Sequence, residues 1–149
     1  MYKKILVPTD GSSLSEQAAA AAIEFARALG SEIVAVSVAH PTPMIAAEAV
    51  VVLDSEAETR VLLAQAQENV DKVALLATAA GVACTGTIAL SYFPHEEIIK
   101  AAVDHQCDLI FMASHGRHGL SKLLAGSVTQ NVLAYSTIPV LVLRPGQAH

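Results

Sequence analysis

Gly116, Gly119 and Gly126, the cationic or ionisable side chains of His115, Arg117 and His118, and the hydroxyls of Ser114, Ser127 and Thr129 all fall between Ala113 and Thr129. Residues of these types can build an anion cradle. A backbone N–H approaches a phosphate oxygen closely only where no side chain stands in front of it, and a helix start adds unpaired donors and a favourable dipole. The preceding residues, Leu109-Ile110-Phe111-Met112, read as a buried strand, and those after Gly126 have helical spacing. A glycine-bearing loop that leaves a strand and ends at a helix start suits phosphates, so nucleotide binding is the leading expectation. Main-chain groups of Ser114 to Gly119 should carry more of the contact than any one of His115, Arg117 and His118, although arginine's fixed fork suits phosphate oxygens. Val128 and Thr129 offer further backbone N–H groups. Ser127-Val128-Thr129-Gln130 also reads as a capping box, in which the Ser127 hydroxyl would be spent on the backbone.

Other chemistry is thinly represented. The chain has no Ser/His/Asp order, no metal-ligand cluster and no paired carboxylates of distinctive spacing. His115-Gly116-Arg117-His118 superficially resembles the HxGH motif of nucleotidyl transferases, but that motif sits near the first strand in those enzymes. Glu96 and Glu97 after Pro94, Asp104 and His105 near a helix end, and His40 before Pro41 have ordinary surface or cap explanations. Cys84 and Cys107 lack CxxC spacing and read as small core residues of a reducing compartment. A net charge of −5 with 4% aromatic residues gives neither the field nor the stacking platform of a nucleic-acid binder. Mean hydropathy is high, +0.48, yet charges or prolines interrupt every apolar run before the roughly 18 residues of a membrane span. The start, Met1 to Asp10, has too short an apolar run for a signal peptide. A cytoplasmic protein, not membrane-spanning and with no nucleic-acid partner, is expected.

The elements that must position the cradle alternate regularly. Lys4 to Thr9 reads as a strand, Ser13-Leu14-Ser15-Glu16 as a capping box, and Gln17 to Leu29 as a helix closed by Gly30. Ile33 to Ala39 is a second strand. His40-Pro41-Thr42-Pro43 breaks regular structure, and the segment through Val50-Val51-Val52-Leu53 is ambiguous between a short helix and an excursion over the surface. A long helix spans about Ser55 to Ala80, with Gly81 as its stop. Val82 to Leu90 is the third strand, Pro94 to about Gln106 a helix, Leu109 to Ala113 the fourth strand, Ser127 to about Tyr135 a helix, and Val140 to Leu143 the last strand. Apolar strands alternating with helices predict a single α/β domain over 1–149, a three-layer sandwich with a parallel sheet between helices on both faces. Ligands of such folds bind at the carboxyl ends of strands where the order reverses. Asp10 follows the first strand and the glycine loop the fourth, so neighbouring first and fourth strands would bring both to one crevice.

The chain strongly resembles the universal stress protein family over essentially its whole length. Lys4-Ile5-Leu6-Val7-Pro8-Thr9-Asp10-Gly11-Ser12 looks like that family's start and Ser136-Thr137-Ile138-Pro139-Val140-Leu141-Val142 like its end. The resemblance implies a five-stranded sheet in the order 3-2-1-4-5. The family's ATP-binding members carry G-x2-G-x9-G-[S/T], and here Ala113-x2-Gly116-x9-Gly126-Ser127 departs from it only at Ala113. One methyl group implies a modified pocket if φ at Ala113 is negative, and strain if it is positive. By the same resemblance Asp10 meets the ribose or adenine end, the backbone of Val38 meets adenine, and Pro8 and Thr9 line that pocket. ATP, with magnesium held largely by its phosphates and water, and a homodimer formed through the last strand are the implied ligand and state. The partner so regulated is unknown. SGGxDS-like and KMSKS-like motifs are absent, so at most slow ATP hydrolysis is expected. A nucleotide-independent stress-response interaction module is the competing reading, and Ala113 is the feature in its favour.

Overall fold

Alternation along each central strand divides its side chains between two cores. Ile5 and Val7, Ile33 and Ala35, and Leu109, Phe111 and Ala113 pack on one face, while Leu6, Val34, Val36, Ile110 and Met112 pack on the other. These strands are buried on both sides, which is why they read as nearly continuous apolar runs. In the computed structural model, which describes residues 1–41, 44–46, 49–51, 56–115 and 125–144, they are β1 (Lys4–Pro8), β2 (Glu32–Ala39) and β6 (Leu109–Ala113). With β5 (Cys84–Leu90) and β7 (Val140–Leu143) they form a parallel sheet in the order β5-β2-β1-β6-β7. Counted among these five strands alone, that is the expected 3-2-1-4-5.

The helices are α1 (Ser13–Leu29), α2 (Glu56–Ala79), α3 (Pro94–Asp104) and α4 (Ser127–Tyr135). The first two cover the face of Ile5 and Phe111, the last two the face of Leu6 and Ile110. Helix α1 buries Ala18, Ala19, Ala22 and Ala26, small side chains that let it lie close to the sheet. It ends at Gly30, whose φ of 71° supplies the left-handed turn that Cβ-bearing residues resist. Its start differs by one residue from the capping box read at Ser13. Ser12 is the N-cap, and its hydroxyl accepts from Ser15 N at 3.2 Å. The chain leaves β1 through a turn in which Ser12 N donates to Asp10 Oδ1 at 2.9 Å, and this places Ser12, not Ser13, at the first helical carbonyl.

The ambiguous segment after His40 contains an antiparallel pair, β3 (Met44–Ala46) with β4 (Ala49–Val51), so it is an excursion and not a helix there. Strand β1 lies between β2 and β6, with crossovers leaving to opposite sides. This is the reversal at which open α/β sheets bind ligands.

Candidate functional site

The register that pairs Leu6 with Ile110 brings the ends of β1 and β6 to the same edge of the sheet. Beyond Pro8, Thr9 N donates to Val36 O at 2.9 Å and holds the chain on β2 for one more residue. The Thr9 side chain turns inward, its Oγ1 lying 3.2 Å from Ser15 Oγ and accepting from Gly11 N at 3.3 Å. Ser15 Oγ donates in turn to Ser12 O at 2.9 Å. Thr9, Ser12 and Ser15 thus brace the turn that presents Asp10, and the Asp10 carboxylate locks it through Ser12 N. Gly11 and Ser12 read as a turn at Asp10, which the bond from Ser12 N bears out; the bracing role of Ser15 was not read from the sequence, because a serine near a helix start signals a cap and nothing more specific. Val36 pairs with Pro8, so Val38 stands two residues beyond the end of β1, alongside this turn.

At β6 the chain is pinned from both sides. Ser114 N donates to Leu143 O at 2.8 Å, and Gly126 N donates to Ser114 O at 2.7 Å. Thr129, buried, donates its Oγ1 proton to Ala113 O at 2.9 Å. The last two residues of this strand end therefore clasp the first turn of α4. A Cβ on Gly126 would stand 2.9 Å from His115 Cβ and 3.2 Å from His115 Cα, which leaves room for glycine alone. Ser114 Oγ and His115 Nδ1 are 3.2 Å apart.

This clasp overturns the capping box read at Ser127. Gly126 is the N-cap, with φ −62° and ψ 163°, no side chain caps the helix, and Ser127 is its first residue. Gln130 sends its amide to Ala125 O instead, at 2.6 Å. The physical reason is that the N-cap sits where the chain is fastened, at Gly126 N. Ser127 is exposed, and the backbone N–H groups of Ser127, Val128 and Thr129 are the orphan donors of a helix start. Thr129, by contrast, has spent its hydroxyl on the protein.

Ala113 has a negative φ, since among the described residues only Tyr2 and Gln106 are non-glycine residues with positive φ. It is 7% exposed and its methyl packs with the α1-side core, opposite to the face on which α4 lies. The alanine is unstrained, and the condition that would have weakened the site is not met. Gly116, Arg117, His118 and Gly119 lie outside the described residues. The structure therefore brings together Ala113, Ser114, His115 and Gly126 to Thr129, and sets Pro8, Thr9, Asp10 and Val38 at the same edge.

A groove of about 400 Å³ opens beside the Thr9 turn, between α1 and α2. Its lining includes Thr9, Gly11, Asn69 and Val73, with Lys72 and Glu16 3.7 Å apart across it. It belongs to the helix–helix seam, not to the clasp.

The family model of the universal stress proteins matches residues 1–144. Universal stress protein MJ0531 of Methanocaldococcus jannaschii is 37% identical over 146 residues, covering 97% of this chain and 83% of that protein. A universal stress protein of Thermus aquaticus is 34% identical over 97% of this chain and 100% of its own length. Among solved structures, the M. jannaschii protein MJ0577 superposes with a TM-score of 0.76 at 29% identity, covering 99% of each chain. Two further structures share the fold and were solved with nucleotides. One is a universal stress protein in complex with cAMP, with a TM-score of 0.70 and 24% identity over 96% of this chain and 97% of that one. The other is the Archaeoglobus fulgidus universal stress protein in complex with dAMP, with a TM-score of 0.67 and 19% identity over 95% and 97%.

Proposed function

The chain belongs to the universal stress protein family, and from that footing we propose that it is a regulatory module that binds an adenine nucleotide, ATP foremost, at the carboxyl edge of its sheet. One observation carries the reading: Gly126 and Thr129 are clasped to Ser114 and Ala113, which leaves the uncapped start of α4 and the free Ser127 hydroxyl facing outward beside the end of β6. Free N–H groups, a dipole and an exposed hydroxyl are a donor set that fits phosphate. The similar folds that hold cAMP and dAMP support adenine as the base. Pro8, Thr9, Asp10 and Val38 then take the adenosine end. Ala113 to Gly119 and Gly126 to Thr129 take the phosphates.

Among the described residues no three His, Cys, Asp or Glu side chains could hold a metal ion. Magnesium would enter with the nucleotide, held by phosphates and water. Efficient phosphoryl transfer wants a positioned base and fixed metal ligands, for which Asp10 and the loop histidines are the candidates; the reading takes the bound nucleotide as a signal, with slow hydrolysis at most. The module works in the cytoplasm as a homodimer joined through β7 and reports to a protein partner.

The test is mass spectrometry of nucleotide released from the purified protein, paired with calorimetric titration of ATP and adenosine into wild type and Ser127→Ala. Released adenine nucleotide, and a roughly tenfold loss of ATP affinity in the variant with adenosine unaffected, are expected for loss of one hydrogen bond to a charged group. Neither released nucleotide nor heat on titration of the wild type would overturn the reading.

A further inference from the structure

Three tyrosines and three phenylalanines occur in the chain, and they divide cleanly. Tyr2, Phe25 and Phe111 form a ladder in the core, with ring centroids 6.4 and 5.9 Å apart. Tyr92, Phe93 and Tyr135 are exposed, Phe93 by 57% and Tyr135 by 67%. The exposed three belong to one surface. His95 stacks on Tyr135 with centroids 6.0 Å apart, two residues from Phe93, and His40 meets Tyr92 edge-on at 6.3 Å. Single exposed apolar side chains need no explanation, but a cluster of large ones marks an interaction site.

Phe93 also breaks a local rule. It occupies the N-cap of α3, where Ser, Thr, Asp or Asn would accept from the helix's free donors, and it makes no side-chain cap. An exposed phenylalanine that serves its own helix badly is the kind of local cost that function retains. Its surroundings are acidic. Glu96 and Glu97 fill the first turn of α3, and neither Leu90 to Ile99 nor Ser127 to Tyr135 contains a lysine or arginine. The next cation along α3, Lys100, is paired with Asp104 at 2.6 Å.

We propose that this surface docks a cationic, apolar-anchored segment of another protein. Aromatic faces attract guanidinium and ammonium groups, and carboxylates one turn away complete the pairing. Aliphatic side chains of the partner would pack on the exposed rings of Phe93 and Tyr135. The surface borders the adenosine end of the proposed site, since Ser91 N donates to Ala39 O and His40 meets Tyr92, but it uses none of the residues assigned to the nucleotide.

The probe is a 12-residue peptide of alternating arginine and leucine, titrated into isotope-labelled full-length protein by NMR, with an alternating glutamate and leucine peptide as the control. Saturable shifts confined to residues 90–97 and 133–135 are expected for the cationic peptide and not for the acidic one. Phe93→Ala with Tyr135→Ala should raise its Kd roughly tenfold, and Glu96→Gln with Glu97→Gln should raise it and flatten its salt dependence. These side chains are exposed, and the variants' own spectra check that the fold survives. Equal binding of both peptides, shifts located elsewhere, or an affinity indifferent to the aromatic pair would overturn the proposal. So would sedimentation showing that the aromatic substitutions split a dimer, since the surface would then belong to a second copy of this chain.

Discussion

At the scale of single residues, the clasp between β6 and α4 separates side chains that shape the cradle from those that can touch a ligand. Thr129→Val keeps the shape of the side chain and removes the proton donated to Ala113 O. Leaving that buried carbonyl short of its partner costs about 1–3 kcal/mol and loosens the helix start. ATP affinity measured by calorimetry should fall, while Thr129→Ser restores it and adenosine binding is unmoved. An unchanged ATP affinity in Thr129→Val would show that the clasp does not position the phosphate donors. Gly126→Ala presses a methyl against the Cβ and backbone of His115, so it should lower the unfolding free energy read from urea denaturation by the roughly 1–3 kcal/mol of overpacking. A mutant as stable as wild type would refute the close approach. Cys107 tests the core independently. Burial pushes its thiol up to about 11, against the lowering pull of Lys4 and with Asp108 adding to the rise. The folded state therefore holds this proton more tightly than the unfolded chain, whose thiol titrates near 8.5. The stability so contributed is complete below about pH 8.5 and is lost as pH climbs toward about 11. Urea midpoints measured across that window should fall less steeply in Cys107→Val than in wild type. Parallel slopes would count against the buried thiol as a cause.

At the scale of elements, the strand and helix order was legible because each element carries its own period, while the fine register of caps was not. Ser12, Ser13 and Ser15 all stand near the start of α1, and local pattern favoured Ser13 because Glu16 follows it three residues later. What decides is where β1 releases the chain, and the Asp10 turn fixes that one residue earlier. Ser12→Ala should accordingly cost about 1 kcal/mol and Ser13→Ala should fall within about 0.5 kcal/mol of wild type, both read from chemical denaturation. The opposite ranking would restore the box at Ser13. The same limit explains α4. Ser127 has the letters of a cap, but the long-range bond from Gly126 to Ser114 chose the N-cap, and no window of local sequence contains that bond. The β3–β4 pair escaped for another reason. Ala46 to Ala49 supplies no Gly, Asn or Asp to announce a turn, and an apolar run so short fits either period. The candidate site was legible in its glycines and hydroxyls and, for Ala113, in its departure from the family pattern. That the alanine there is unstrained was not, because it depends on the φ the folded chain takes at that position.

At the scale of the whole molecule, β5 and β7 are the outer strands of the sheet, and among the described residues no strand pairs with their outer edges; these edges differ in what they offer. Residues 139 and 143 send their carbonyls to Ile110 N and Ser114 N on β6. Odd-numbered positions of β7 thus face the sheet, and Val140 and Val142 direct their N–H and C=O groups outward. An apolar strand with free polar groups on one side invites pairing with another strand, and a second copy of β7 related by a two-fold axis can meet it antiparallel. The homodimer proposed for this protein therefore makes a definite demand: the outward N–H of Val142 must be bonded across the interface. Val142→Pro removes that donor without subtracting a bond from β6, and proline is tolerated on an edge strand where its missing N–H faces away from the sheet. Sedimentation equilibrium should find wild type dimeric and Val142→Pro largely monomeric, with the circular dichroism of the fold retained. A wild type that sediments as a monomer would remove the dimer from the proposed function. A dimer indifferent to Val142→Pro would keep the dimer and move its interface away from β7, leaving that edge free for another strand.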